Sequence, residues 1–412
     1  MAAPIEKPQT AEEMGLMQGF PPAPEKVVTH ENQLLGPFNR WSFQNELPLN
    51  RVVDVWRGDG PTANLEYSPL DLSGVGYQNR LGQSFSFEDM VELSYTDGIV
   101  VLHQGRIIYE RYLNGMQPHS LHAWASGSKS MTGTLAALLM HEGLFDPDEV
   151  VSHYLPELQN SGFGDATVRQ VMDMTTDLRF PEESADPISE NMQYSVAMGW
   201  RKPPSGEAEA LHAYNYLPGM RKGGEHGLRF TYLTPNTDVL AWLIKRLTNQ
   251  TLAEVMRRRI WSKLGAERDA FWITGPLAVE TAGSGLLTTT RDMARFGQML
   301  LQKGRINGQQ ILPEDVTADI EVGGDRQAFA RGPAANPTNQ GWSYHHQWWL
   351  THDPHSAYLG MGYGGQMLYI APAAHLVIAK FSSYPTPTPA GNEFYSAFGA
   401  FPALARWLVE RG

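Results

Sequence analysis

The chain has 412 residues, 42% of them hydrophobic and 18% charged, with a formal net charge of −12. That balance is globular rather than disordered or coiled-coil, and supports a sizeable core. No basic stripe could track a phosphate backbone, since Arg257-Arg258-Arg259 falls in an expected helix as a solvated face, and the absence of cysteine excludes disulfides, thiol catalysis and thiolate metal sites.

Residues 1–30 are rich in Pro and charge and read as an N-terminal surface arm. They lack the cationic and apolar regions of a secretory leader, and no later stretch approaches the roughly 18 apolar residues of a membrane span. A cytoplasmic protein without membrane or nucleic-acid partners is therefore expected.

Strands come first. Ile99 to Leu102 and Arg106 to Tyr112 flank Gln104-Gly105 and predict a β-hairpin. A helical stretch follows. Ser126 to Glu142 places Met131, Leu135, Leu138 and Leu139 on one face and stops at Gly143. Further helices are predicted from Val168 to Met174, Thr237 to Leu247, Thr251 to Leu264 and Arg291 to Leu301. Strands return at Tyr344 to Leu350, Gln366 to Ile370 and His375 to Phe381, before a last amphipathic helix from Asn392 to Arg411. This layout predicts an antiparallel sheet domain built from residues 31–122 and 282–412, flanked by helices. A mostly helical domain, 123–281, is inserted between the two sheet-forming parts.

The sharpest local feature is Ser126-Gly127-Ser128-Lys129 at the head of a periodic helix. A spacing of three puts the hydroxyl and the amine on one helical face, where the amine can take the proton that a serine nucleophile must lose. The unpaired amides of the helix N-terminus favour a developing alkoxide. Taken alone, S-x-x-K also reads as a capping serine followed by a solvated lysine. Neither Ser128 nor Ser130 has a lysine three residues on. There is no G-x-S-x-G elbow, no P-loop and no H-E-x-x-H. His345 and His346 fall on one predicted strand and point to opposite faces, so they are not expected to share a metal, and no metal or cofactor is expected.

Four segments in order carry a resemblance. W-A-S-G-S-K-S-M at Trp124–Met131 looks like a nucleophile helix, and Ala166–Leu178 resembles the T-I-R-x-L-L-x-M-T-S-G-L segment. Phe230–Leu240 resembles a second catalytic motif in which a Tyr precedes Ser/Thr and Asn, and Ala282–Phe296 resembles G-G-L-x-S-T-x-x-D-M-A-R-F. The chain thus resembles the serine β-lactamase and DD-peptidase superfamily over about residues 97–381. Phe38–Phe43, Gly199–Arg201, Gln347–Trp349 and Gly365-Gln366 are most similar to its 6-aminohexanoate-dimer (nylon-oligomer) hydrolases and their carboxylesterase relatives.

The resemblance implies a β-lactamase-like fold and an acyl-enzyme on Ser126. Lys129 and Tyr232 are then the other catalytic residues, with the Tyr232 phenol relaying the proton to the leaving group. It implies an oxyanion hole from the amides of Ser126 and Tyr363, and substrate contacts from Phe180, Asn236, Gly362 and Gln366. The expected partner is a small ester or amide, with a homodimer an open expectation. Acyl transfer and β-lactam or D-peptide cleavage are alternatives on the same acyl-enzyme. Two departures bear on substrate. The Gly360–Gln366 stretch lacks the cation that meets a β-lactam carboxylate in relatives, and Phe180 stands where nylon-oligomer hydrolases carry a Tyr.

Overall fold

The computed structural model describes residues 7–79, 82–181, 190–201, 212–386 and 396–411. The strands that position the site are β1 (Val52–Val55), β2 (Thr96–His103), β3 (Arg106–Tyr112), β4 (His122–Ala123), β5 (Ala270–Ile273), β6 (Leu286–Thr288), β7 (Ser343–His345), β8 (Trp348–Leu350), β9 (Tyr358–Gly362), β10 (Gln366–Ala371) and β11 (Leu376–Ser382). The main helices are α1 (Ser128–His141), α2 (Val168–Met172), α3 (Pro235–Thr248), α4 (Leu252–Arg259), α5 (Thr290–Leu301), α6 (Glu314–Val322) and α7 (Ala397–Val409).

The β2–β3 hairpin turns where expected, with Gln104 and Gly105 both left-handed (φ 50° and 79°). It joins a seven-stranded antiparallel sheet of order β7-β8-β9-β10-β11-β2-β3. The seam that closes the two chain parts is β11 on β2, running from Leu376↔His103 to Lys380↔Ile99. Both strands are β-branched and buried on both faces, which suits a central position. Alternation then serves two cores. Val100, Leu102, Val377 and Ala379 pack into the helical side with α1, α3 and α5, whereas Ile99, Val101, Leu376 and Ile378 pack under α7.

A second, four-stranded sheet of order β1-β5-β6-β4 lies beside the start of α1. No local pattern announces it, because strands of two to four residues are too short for a periodicity. The expected strand from Tyr344 to Leu350 is likewise corrected: it is a hairpin, β7 and β8, folded at His346-Gln347. Both turn residues have positive φ, 47° and 65°. Without Asn or Gly they gave no local turn signal, and tertiary contact holds them. A Cβ at Gly133 of α1 would lie 2.0 Å from the His346 carbonyl oxygen, so only glycine lets the turn sit on that helix. The Gln347 side chain accepts from Thr237 at 2.8 Å and donates to the Met172 carbonyl at 2.9 Å.

Helix bounds follow their caps. Thr167 and Thr251 each close a capping box, with Gln170 and Glu254. The N-terminal arm carries buried Ala11, Leu16 and Val28 from residue 7 onward. Among the described residues no helix is long and apolar enough to cross a membrane.

A buried polar network ties this arm region to the sheet. Asp97 accepts from Arg40 (2.9 Å) and Asn114 (2.8 Å) on one oxygen, and from Ser383 (2.6 Å) on the other, which also lies 3.1 Å from His122 Nε2. Burial works against its charge, but Arg40 and then His122 outweigh it and hold the carboxyl below its usual range. A depressed pKa means stability that is present above the unfolded value of about 3.9 and lost as pH falls through the folded one. Asp97→Asn should strand a buried guanidinium and cost about 3–5 kcal/mol, seen as a lower urea midpoint at unchanged slope. An unchanged midpoint would count against the network.

Candidate active site

Ser126 sits where β4 gives way to α1. The chain leaves β4 at Ala123, passes Trp124 and a single 3₁₀ turn, Ala125–Gly127, and enters the helix at Ser128. Ala125, immediately before the serine, has φ 44°. A left-handed alanine costs on the order of 1–3 kcal/mol, so the surroundings must enforce it. They do: the Trp124 amide donates to Leu286 O (2.9 Å), and its indole to Thr288 (2.7 Å). The Ser128 hydroxyl donates to Ala125 O (2.7 Å) and accepts from the Leu286 amide (3.0 Å). Ser130 donates to Gln347 O at 2.9 Å. Both neighbouring serines are thus occupied by backbone, and half-buried Ser126 is left facing its lysine.

Lys129 Nζ lies 3.0 Å from Ser126 Oγ and 3.0 Å from the Gly283 carbonyl, and is 1% exposed. No carboxylate lies within ion-pair range of it among the described residues. Gly283 has a role that spacing did not reveal. A Cβ there would fall 2.8 Å from Thr234 Cγ2 and 3.3 Å from Lys129 Nζ, so the segment can pass beside the amine only as glycine. The Tyr232 ring closes the other side, its centroid 5.0 Å from Lys129 Nζ. Trp349 stacks on that ring (5.4 Å, 26°), with Phe230 and Tyr344 edge-on behind it. Among the described residues the partners of the Lys129 amine are Ser126, Gly283 and this aromatic face.

Strand β9 runs past the serine turn. At Gly360 a Cβ would lie 2.8 Å from Ser130 Oγ, and at Gly362 2.1 Å from Trp124 O. Glycine at both positions is what allows the approach. Beyond Gly362 the chain turns through Tyr363, with Gly364 and Gly365 both left-handed. No protein acceptor is recorded among the described residues for the Ser126 or the Tyr363 amide. The Tyr363 phenol donates to Leu34 O at 2.6 Å, pinning that loop to the N-terminal segment.

The structure places three of the remaining expected substrate contacts in the following surroundings. Gln366 is 1% exposed and braces the loop from within, donating to Tyr363 O (2.9 Å) and Ser382 O (2.7 Å). Asn236 is fully buried, accepting from Thr176 (2.8 Å) and donating to Leu233 O (3.1 Å). Phe180 packs edge-on to Tyr194 (5.4 Å) in the main core, and Tyr194 in turn donates to Asp238. These residues hold the walls in place. Their burial depends on long-range packing, which a motif cannot report.

The two histidines are a second correction. Because the chain reverses at His346, the rings of His345 and His346 do not diverge but lie 3.7 Å apart, centroid to centroid. Burial disfavours the His345 imidazolium, but Asp173 and Asp319 outweigh that and push its pKa up to about 9.

Residues 94–397 match the family model described as Beta-lactamase. A 6-aminohexanoate-dimer hydrolase of Paenarthrobacter ureafaciens is 32% identical over 368 residues, covering 89% of this chain and 91% of the relative. A solved Bacillus anthracis protein described as a candidate 6-aminohexanoate-dimer hydrolase superposes with a TM-score of 0.84 at 33% identity, over 94% of this chain and 99% of its own. EstCE1, a hydrolase with promiscuous acyltransferase activity, shares the fold (TM-score 0.58, 15% identity, 77% of this chain and 94% of its own).

Proposed function

The chain belongs to the beta-lactamase family of hydrolases, close to the 6-aminohexanoate-dimer hydrolases, and on that premise we propose that it cleaves small linear amides or esters through an acyl-enzyme on Ser126. The observation that carries this reading is the 3.0 Å contact between a buried Lys129 amine and the Ser126 hydroxyl. Ser126 Oγ adds to the carbonyl carbon as its proton passes to Lys129 Nζ. The tetrahedral oxygen is met by the unpaired amides of Ser126 and Tyr363. Collapse breaks the C–N or C–O bond, and the leaving group departs with the proton relayed through the Tyr232 hydroxyl. Water then adds to the acyl-enzyme, releases the acid and returns the proton to Ser126.

The relative's printed substrate, a 6-aminohexanoate dimer, is a linear amide, which supports that substrate class here. The Gly360–Gln366 stretch supports it from the other side, since it offers no cation to a bicyclic carboxylate. An unpartnered carboxylate would be desolvated at a cost. The test is a panel of p-nitrophenyl esters, linear amides including the 6-aminohexanoate dimer, and nitrocefin, run on the wild type and on Ser126→Ala. Short acyl esters or linear amides should turn over, and nitrocefin at least tenfold more slowly. Nitrocefin turnover matching that of p-nitrophenyl butyrate would refute the substrate class.

A further inference from the structure

Beside α1, four side chains from three separate segments meet. Asp173 follows α2, Asp319 lies on α6, His345 ends β7, and His346 opens the bend between β7 and β8. One donor atom from each of Asp173, His345 and His346 lies within 4.8 Å of the others. We propose that this cluster is a binding site for a borderline transition-metal dication of the Zn²⁺ class, with Asp173, His345 and His346 as ligands and Asp319 as the outer carboxylate.

Three observations converge on it. The first is the pair of buried ring nitrogens. His345 Nδ1 and His346 Nδ1 are buried without a hydrogen-bond partner, in rings 8% and 0% exposed. Buried ring nitrogens normally find one. His345 Nδ1 is only 2.9 Å from Asp173 Oδ1, an ion-pair contact without a geometric hydrogen bond. Neighbouring ligands on one ion adopt that relation, since tetrahedral ligands about 2.0–2.1 Å from zinc stand about 3.3 Å apart.

The second is the outer shell. Asp319 reaches both opposite ring nitrogens, His346 Nε2 at 2.8 Å and His345 Nε2 at 3.6 Å. At His346 a carboxylate that accepts Nε2–H fixes that tautomer and leaves the Nδ1 lone pair for a metal, as in metal-bound histidines generally, whereas at His345 the metal would take the place of the proton that Asp173 and Asp319 favour. The third is the donor set itself. Two imidazoles and one carboxylate, with no thiolate, suit a dication of intermediate softness better than Ca²⁺ or Mg²⁺, which take oxygen. An ion here would tie α2, α6 and the β7–β8 hairpin together. That hairpin rests on Ser130 and Gly133 of α1, one and four residues beyond Lys129, so the ion's effect is on the stability of the helix that carries Lys129.

The full-length protein, freed of metal with EDTA and exchanged into clean buffer, should bind about one equivalent of Zn²⁺ by calorimetry, with Kd below about 1 μM. It should melt at higher temperature with Zn²⁺ present. Bound Co²⁺ should give visible d–d bands that Zn²⁺ abolishes. His345→Gln and Asp173→Asn should each weaken Zn²⁺ at least a hundredfold, and Asp319→Asn by roughly ten- to a hundredfold. Should these variants fail to fold, the wild-type Co²⁺ spectrum still decides. Three results would overturn the site: no micromolar Zn²⁺ binding by the wild type, undiminished binding in the folded variants, or a Co²⁺ spectrum of hexa-aqua type.

Discussion

Ser126→Ala is expected to lower turnover of every accepted ester or amide by at least about 10⁴-fold, the scale on which serine hydrolases lose rate with their nucleophile. The size follows from the absence of a substitute. Ser128 is held between Ala125 O and the Leu286 amide, and Ser130 is committed to Gln347 O. Neither could be freed without unpicking the turn that holds Ala125 in its left-handed conformation. Lys129 and the unpaired amides would remain, so substrate binding should change little while kcat collapses. A fluorophosphonate probe should add one adduct mass to the wild type and none to the variant, as read by intact mass. Labelling that survives the substitution would place the nucleophile elsewhere and sink the assignment. The melting temperature should stay within a few degrees, since the hydroxyl lost is half-exposed.

Lys129→Ala and Tyr232→Phe should each lower kcat by on the order of a hundredfold or more, the usual worth of positioned acid–base help. The two variants probe different things. Lys129→Ala removes the Ser126 contact and also leaves the buried Gly283 carbonyl without its donor, so a stability loss of about 1–3 kcal/mol accompanies it. Activity must therefore be referred to the folded fraction. Tyr232→Phe keeps the stack on Trp349 and the amine–ring contact, and so isolates the phenol oxygen. If both groups serve one proton, the double variant should lose far less than the product of the single losses. Multiplicative losses would contradict a shared relay. An unchanged kcat in Tyr232→Phe would reduce that residue to an aromatic wall for the amine.

The amino-acid sequence by itself determined the parts whose physics is local. Hydrophobic spacing located α1, α3 and α5. Gln104-Gly105 announced its hairpin, and the helix expected from Thr251 begins at that cap, because caps and turns depend on residues a few positions apart. The i, i+3 pairing of Ser126 and Lys129 was legible for the same reason: one helical turn fixes both side chains. The ordered motifs were specific enough to indicate the family that the comparisons then showed. What only the tertiary structure decided involved partners distant in the chain. The bend at His346-Gln347 carries no turn residue of its own and exists because Gly133, about 210 residues earlier, leaves room for its carbonyl. That bend brought together two histidines which strand alternation would have separated. Gln366 and Asn236 bear polar groups of the kind that meet substrates, and only packing could reveal the buried backbone and hydroxyl partners that they hold. Gly283 was visible as a letter in a motif. Its reason, the passage of a backbone against a buried amine, is a distance between residues 129 and 283, and no local pattern encodes it.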